Sequence, residues 1–250
     1  MHPILVKIGP LALHSYGLMV ALGFMAAAAL ASRRAQALGL DPSRIQKVVW
    51  ISLLAGILGA RLAYLFLNWD LFASNPVEII RLDHGGLVFY GGLTMGLAAG
   101  LWTIRRAGLP LLKTADLLIP PLVLAHAIGR IGCFLNGCCY GKPTSVPWAV
   151  AFPADRVPRH PTQLYESAFL LLLFLFLQRA AGGGRRPGRL LFLYGLFYGT
   201  WRFLVEFLRG DNPAVGLGLT AFQWASLPLA LVCGWLLLRR RPAPASRAVV

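Results

Sequence analysis

The sequence predicts an all-α, polytopic membrane protein with seven transmembrane helices, and three observations carry that prediction. Charged residues make up 13% of the 250 residues, whereas soluble proteins carry about 25%. Apolar residues make up 57%, and they gather into seven long runs. Short basic clusters separate those runs. This composition cannot supply the polar surface of a soluble enzyme, and it also excludes a disordered chain and a disulfide-stapled secreted fold.

The seven apolar runs define the predicted spans. A helix that crosses roughly 30 Å of hydrocarbon needs about 20 residues, so the fifth and shortest run needs its flanking residues as well. We expect one integral-membrane domain over residues 1–250, with an exterior loop at 136–163 and a tail at 239–250. The runs cover residues 16–31, 48–67, 87–104, 114–135, 164–177, 190–207 and 221–238.

The basic residues predict how the chain is oriented. Fifteen Lys and Arg residues follow the first, third, fifth and seventh runs, and six lie on the opposite side. Because the cytoplasmic loops of membrane proteins are enriched in Lys and Arg, the N-terminus is expected outside, in the periplasm, and the C-terminus in the cytoplasm. The net charge of +15 is therefore a topology signal, and no nucleic-acid partner is expected.

This orientation places many polar residues at one depth, in the outer half of the bilayer. Charged groups inside a membrane cost about 2.5–3.5 kcal/mol each on insertion scales, so they usually mark function or internal pairing. For Arg61, a structural ion pair or a side chain that extends outward from a helix end is as good an explanation as a functional role. The residues at the shared depth are Tyr16, Tyr64, Tyr90, His126, Arg130, Tyr165, Glu166, Arg202 and Glu206.

Two helical patterns indicate an anionic ligand at that depth. His126 and Arg130 are one turn apart and face the same way, as do Arg202, Glu206 and Arg209. An Arg–Glu pair within a membrane neutralises itself, and the additional Arg209 leaves that face with net positive charge. Arginine suits bidentate contact with phosphate, and a phospholipid is the anion most available in the bilayer.

Simpler explanations hold for three cysteines and for a glycine-rich segment. Cys133, Cys138 and Cys139 form a C-x4-C-C group, which is not a zinc spacing. We interpret them as small, polarizable residues that pack near a helix end. The glycines of residues 85–92 allow the backbone to come close to another group. A ligand and a neighbouring helix explain them equally well.

Five sequence blocks, in this order, resemble the prolipoprotein diacylglyceryl transferase family. Any one block would be a weak signal, but together they span almost the whole chain, and the family's seven-span architecture with an outside N-terminus matches the hydropathy pattern. The blocks are HSYGLM at 14–19, GGLVFYGG at 85–92, GRIGCFLNG at 129–137 with Gly141, RHPTQLYE at 159–166 and RFLVEF at 202–207.

The resemblance implies a bacterial inner-membrane enzyme. It would transfer the diacylglyceryl group of phosphatidylglycerol to the lipobox cysteine thiol of a prolipoprotein, which forms a thioether and releases glycerol phosphate. No cofactor is implied. Together with the depth that the polar residues share, the resemblance implies two sets of site residues. The catalytic set is Arg130, Arg202, Glu206, Tyr90 and His126. The substrate-binding set is Tyr16, Tyr64, Asn136, Gly141, His160, Tyr165 and Glu166.

The sequence also departs from the family pattern. Tyr90 stands where the family often carries a catalytic histidine, and Cys133 and Cys138 stand where asparagine and glutamate are common. A tyrosine with a pKa near 10 is a poor base at neutral pH, so two hypotheses remain for the group that takes the thiol proton: His126, or Tyr90 acidified by arginines. A catalytically silent relative that binds phosphatidylglycerol is the alternative to an enzyme.

Overall fold

A computed structural model describes residues 1–8, 11–74, 76–79, 86–153, 156–182 and 186–239, and they are mostly helical. The predicted tail, apart from Arg239, lies outside the described residues, as do Gly85, Arg81 and Arg185. Seven long helices coincide with the seven apolar runs, which confirms that each of these runs forms a helix. They are α1 (Ser15–Ala37), α2 (Pro42–Leu67), α4 (Phe89–Arg106), α5 (Leu111–Asn136), α6 (Thr162–Ala180), α7 (Arg189–Val205) and α8 (Ala221–Arg239), and the short α3 (Trp69–Ser74) follows α2.

Four of the long helices, α1, α2, α5 and α8, are long and apolar enough to cross a membrane. The helix α2 begins before its apolar run because polar residues stabilise its first turn. Asp41 caps α2, since its side chain accepts a hydrogen bond of 2.8 Å from the Ser43 backbone N–H, and Pro42 occupies the first helical position, where its fixed φ fits. Hydrogen bonds from Ser43 lower the pKa of the Asp41 carboxyl below its ordinary value.

In the described part of the chain, three small antiparallel hairpins and two 3-10 turns lie outside the α-helices, and the apolar runs did not predict them. A hydropathy pattern detects long runs only, whereas these strands have two to five residues. The strands are β1 (Ile4–Ile8) with β2 (Leu11–His14), β3 (Val150–Ala151) with β4 (Pro158–Arg159), and β5 (Ala214–Gly216) with β6 (Leu219–Thr220), and the turns are Pro76–Ile79 and Glu206–Leu208.

The chain divides into two compact units, one formed by Met1–Leu30 with Ala115–Val250 and the other by Ala31–Thr114. In the second unit, α2 packs closely on α4 through glycines. A Cβ on Gly96 would lie 3.1 Å from the Ser52 carbonyl oxygen, and one on Gly92 would lie 3.1 Å from that of Gly56. Of the two explanations for the glycines at 91 and 92, the structure therefore shows contact with a neighbouring helix.

Arg61 joins the end of α2 to the chain that leads into α4. Its side chain is buried, and it donates hydrogen bonds to the carbonyl oxygens of Ile79 at 3.1 Å and Gly86 at 3.2 Å. Its guanidinium also lies 5.8 Å from the centre of the Tyr64 ring. Gly86 has a φ of +81°, and a Cβ there would overlap the Tyr64 ring. The structure thus supports the structural explanation for Arg61.

In the first unit, a hydrophobic core aligns α5, α6 and α7. It contains Ile119, Val123, Ala127, Leu170, Leu173, Leu177, Ala180 and Leu190. Asp116 connects α5 to the start of α7. Its two carboxylate oxygens accept backbone hydrogen bonds from Gly188 at 2.7 Å and Leu191 at 3.0 Å. These bonds satisfy N–H groups at the start of α7, which otherwise have no partner within the helix. The three helices are thereby fixed against each other.

Candidate active site

A buried carboxylate joins α5, α6 and α7 just beyond this core. Glu166 is 1% exposed, and its Oε2 accepts a hydrogen bond from Arg130 Nη2. Its Oε1 accepts a hydrogen bond of 3.1 Å from the Tyr198 hydroxyl and lies 3.5 Å from His126 Nε2. The structure thus brings together three residues that the sequence placed at one depth: His126, Arg130 and Glu166.

The ion pair holds the Arg130 guanidinium in one orientation. A buried charge is tolerated only when it is paired and hydrogen-bonded, and Glu166 provides that for Arg130. One donor is left over, because Arg130 Nε is buried and has no hydrogen-bond partner among the described residues. A fixed arginine with a spare donor is suited to bind an additional anionic oxygen.

A second buried carboxylate, Glu206, stands in the 3-10 turn that follows α7. Its Oε2 lies 2.8 Å from Arg202 Nη1, as an ion pair that lacks the alignment of a hydrogen bond. Its Oε1 accepts hydrogen bonds from Asn212 Nδ2 at 2.6 Å and from Thr220 Oγ1 at 2.9 Å. The Arg202 guanidinium also lies 4.6 Å from the centre of the Phe222 ring, and a cation–π contact of this kind adds to its fixation.

Arg209 completes this cluster but does not leave it positively charged. Its Nε lies 3.8 Å from Glu206 Oε2, and it makes two hydrogen bonds, of 3.0 and 2.5 Å, to the Asp211 carboxylate. Asp211 balances the third arginine, so the expected net positive charge on this face was wrong. Burial opposes the charge on Arg209, but the hydrogen bonds and charge of Asp211 outweigh that cost and raise the pKa of Arg209.

Gly141 lies where three segments meet, and only a glycine fits there. Its backbone N–H donates to the His160 carbonyl oxygen at 2.9 Å, and it pairs with Arg209 as an isolated bridge. A Cβ at this position would lie 2.6 Å from the Leu208 carbonyl oxygen and 2.9 Å from the Thr162 methyl carbon. Gly141 thus positions the loop after α5 against the end of the 3-10 turn.

Three aromatic residues form a half-exposed cluster at the start of α6. The Tyr165 hydroxyl accepts a hydrogen bond of 2.7 Å from Trp148 Nε1 and lies 3.3 Å from His160 Nδ1. The sequence analysis placed His160 and Tyr165 in one substrate-binding set, and in the structure their side chains are in contact. Trp148 is 61% exposed, which makes this cluster suited to contact a large substrate.

The remaining predicted site residues have different surroundings. Asn136 is the last residue of α5, and Tyr16 lies exposed at the start of α1, close to Gly132. Tyr64 and Tyr90 belong to the Ala31–Thr114 unit. Tyr64 is half-buried beside Gly86, whereas Tyr90 is 54% exposed in the first turn of α4.

Sequence reasoning missed several residues of the two clusters. Tyr198 stands one helical turn before Arg202, and this spacing is a signal that could have identified it. Asn212 and Thr220 reach Glu206 only because the β5–β6 hairpin folds back after α7. The local sequence pattern does not predict that this hairpin contacts Glu206.

We predict that Gly141→Ala destabilises the protein, because the added methyl group overlaps backbone atoms that cannot move freely. Overpacking of this kind costs about 1–3 kcal/mol, so the thermal unfolding temperature in detergent should fall. Gly129→Ala is the matched control, since a Cβ at Gly129 would meet nothing within 4 Å and alanine favours a helix. Equal unfolding temperatures for Gly141→Ala and the wild type would contradict the packing described for Gly141.

Comparisons with known proteins identify the family to which the chain is similar. A family model described as prolipoprotein diacylglyceryl transferase matches residues 3–239. The chain is similar to proteins named phosphatidylglycerol–prolipoprotein diacylglyceryl transferase in several bacteria. Identity is 38% with that of Bordetella parapertussis, over 96% of each chain. It is 39% with that of Nitratidesulfovibrio vulgaris, over 98% of this chain and 97% of the relative. It is 41% with that of Methylococcus capsulatus, over 90% and 87%.

Proposed function

The chain belongs to the prolipoprotein diacylglyceryl transferase family, and from that premise we propose that its two arginine–carboxylate clusters bind the phosphate of the lipid donor. The protein is a membrane enzyme, a phosphatidylglycerol–prolipoprotein diacylglyceryl transferase. Its substrates are accordingly phosphatidylglycerol and a prolipoprotein.

The transfer moves negative charge onto the phosphate. The thiolate of the lipobox cysteine attacks the glyceryl carbon that carries the phosphate ester, and a carbon–sulfur bond forms. The carbon–oxygen bond breaks, its electron pair stays on the phosphate oxygen, and glycerol phosphate leaves. The phosphodiester carries one negative charge and the departing monoester carries two, so the site must stabilise charge that develops on this oxygen.

The single observation that carries the proposal is the half-buried Arg130, whose buried Nε is a spare donor. Glu166 fixes the guanidinium from one side, while Nε remains without a partner among the described residues. Glu206 holds Arg202 through an ion pair. Because both arginines are oriented before substrate arrives, little reorganisation is needed when charge develops on the phosphate. We assign phosphate binding to Arg130 and Arg202, and orientation to the two glutamates.

The remaining predicted residues receive roles in this proposal. His126 adjoins the Glu166–Arg130 pair, which supports a role in taking the thiol proton, and Tyr90 is the alternative acceptor. Substrate contacts are proposed for six further residues, of which His160 and Tyr165 already form one cluster. The six are Tyr16, Tyr64, Asn136, Gly141, His160 and Tyr165.

We propose that the enzyme lies in the bacterial inner membrane with its N-terminus in the periplasm. The asymmetry of fifteen against six basic residues supports that orientation. It places residues 136–163 outside, at the surface where a prolipoprotein arrives, and the tail in the cytoplasm. The family match runs continuously through both compact units, which supports treating residues 1–250 as one transferase domain embedded in the lipid bilayer.

Replacement of Arg130 tests this proposal. Loss of one preorganised donor for a developing oxyanion costs about 10²–10³ in rate, so Arg130→Ala should lower thioether formation from phosphatidylglycerol and a lipobox peptide at least 100-fold, measured by mass. Arg106→Ala is the control, because Arg106 is exposed at the end of α4. Full activity of folded Arg130→Ala would contradict the proposal. If the wild-type protein binds phosphatidylglycerol but forms no thioether, it is a catalytically silent relative of the family.

Two further variants separate the candidate proton acceptors. If His126 takes the thiol proton, His126→Ala loses activity most strongly at low pH, where little free thiolate exists, and Tyr90→Phe keeps its activity. If Tyr90 is the acceptor, the pattern is reversed. The measurement is the pH dependence of kcat for both purified variants. A fully active His126→Ala enzyme excludes His126, and a fully active Tyr90→Phe enzyme excludes Tyr90.

A further inference from the structure

Three thiols converge at the end of α5, although their sequence spacing gave no reason to expect it. The Sγ atoms of Cys133, Cys138 and Cys139 all lie within 4.8 Å of one another. Cys133 is buried and the other two are half-buried. All three are free thiols.

The end of α5 explains why a C-x4-C spacing brings two thiols together. Gly137 follows the helix with a φ of +73°, and its N–H donates to the Phe134 carbonyl oxygen at 3.1 Å. The N–H of Cys138 donates to the Cys133 carbonyl oxygen, also at 3.1 Å. This pair of bonds is the Schellman motif, in which the second residue after the helix packs on the last helical turn. Here the contact joins two thiols.

The first turn of α6 holds the loop from the other side. Gln163 Nε2 donates to the Cys138 carbonyl oxygen at 2.5 Å, and Thr162 Oγ1 donates to the Cys139 carbonyl oxygen at 3.0 Å. Cys139 has a φ of +62°, a backbone conformation that non-glycine residues adopt rarely and that the surroundings must enforce. The loop is therefore built to hold the three thiols at one point.

Three converging thiols suit a soft metal ion. Thiolate ligands favour zinc and monovalent copper. Zinc–sulfur bonds of about 2.3 Å in a tetrahedral site require sulfurs about 3.8 Å apart, which small side-chain rotations can reach here. Structural zinc sites use four protein ligands, whereas catalytic sites use three and leave the fourth position open. Three cysteines thus match a zinc site that accepts a substrate atom.

The cluster adjoins the proposed phosphate site. Arg130 Nη1 lies 4.0 Å from Cys133 Sγ, so a ligand in the fourth position would stand beside the arginine that we assign to the donor phosphate. Three thiolates with Zn²⁺ leave one net negative charge, which Arg130 also offsets. The carboxylates of the site do not offer a free base, because Glu166, Glu206 and Asp211 are each paired with an arginine.

We propose that Cys133, Cys138 and Cys139 bind a zinc ion whose fourth ligand is the cysteine thiol of the prolipoprotein. This inference rests on the proposed function, and it names how that reaction obtains its nucleophile. A thiol that coordinates zinc is deprotonated. The metal therefore generates the thiolate nucleophile at neutral pH, which otherwise would require a general base.

The proposed transfer from phosphatidylglycerol to the zinc-bound thiolate conserves atoms and charge. The prolipoprotein thiol binds zinc and releases its proton to water or to His126. The bound sulfur then attacks the glyceryl carbon of phosphatidylglycerol, and the electron pair of the broken carbon–oxygen bond passes to the phosphate oxygen. Glycerol phosphate leaves with two negative charges. The product thioether is neutral and a weaker ligand than a thiolate, so it dissociates and reopens the fourth position.

Metal content tests the site without reference to activity. The enzyme is purified in detergent with a phosphine reductant, and metals are measured by mass spectrometry. We expect about one zinc per chain in the wild type and almost none in Cys138→Ser or Cys139→Ser. Cys233→Ser is the matched control, because Cys233 packs in α8 against Gly195 and should keep its zinc. A disulfide among the three cysteines, or copper in place of zinc, overturns the inference.

Cobalt replacement tests whether the substrate thiol is the fourth ligand. Cobalt(II) in a thiolate site absorbs visible light, and its spectrum should change when a lipobox peptide is added. The same peptide with serine in place of its cysteine should leave the spectrum unchanged. An identical spectrum with both peptides overturns the thiol-binding role.

Activity measurements then separate this inference from the proposed function. Removal of zinc should lower thioether formation at pH 7 at least tenfold, with the loss shrinking at pH 9, where a free thiol of pKa about 8.5 ionises unaided. Undiminished transfer by the metal-free enzyme overturns the inference and leaves the proposed function intact. A zinc enzyme that binds the peptide thiol but forms no thioether supports the metal site and contradicts the proposed function.

Discussion

The ion pair between Arg130 and Glu166 is the constraint on which the rest of the site depends. A buried carboxylate is costly unless its partners are in place, and Glu166 obtains three of them from α5 and α7. The core beneath it and the Asp116 cap keep those helices in register. The carboxylate thereby fixes the arginine, and the arginine offers its remaining donor to the substrate. Glu206 repeats the arrangement with Arg202, supported by a hairpin.

Both clusters are close to neutral overall, and this bears on how they act on phosphate. Glu166, Glu206 and Asp211 balance the three arginines. A neutral but rigid site binds an anion through oriented N–H groups rather than through net attraction. Such a site favours the state in which charge on one oxygen is greatest, which in this reaction is the departure of glycerol phosphate. The thiol cluster at the end of α5 lies against the same arginine.

The sequence predicted the seven long helices because a span is selected by its apolar length, which is a local property. It also predicted the depth shared by His126, Arg130 and Glu166, since helix direction alternates from span to span. It did not predict that Asp211 balances Arg209, because that contact forms beyond the helix, where periodicity no longer applies. For a related reason, the sequence did not predict that the thiols of Cys133 and Cys138 lie together. Zinc spacings describe other turns, whereas a left-handed glycine after a helix brings such residues together.

Binding of glycerol phosphate, the leaving group, tests most directly whether Arg130 holds the donor phosphate. Its dissociation constant can be measured by equilibrium dialysis for the wild-type enzyme and for Arg130→Gln, which keeps much of the side chain's volume but removes the charge. Loss of a charge-assisted hydrogen bond costs about 1.5–3 kcal/mol. We therefore expect glycerol phosphate to bind at least tenfold more weakly to Arg130→Gln and with unchanged affinity to Arg106→Gln. Equal affinity of the wild type and Arg130→Gln would contradict it.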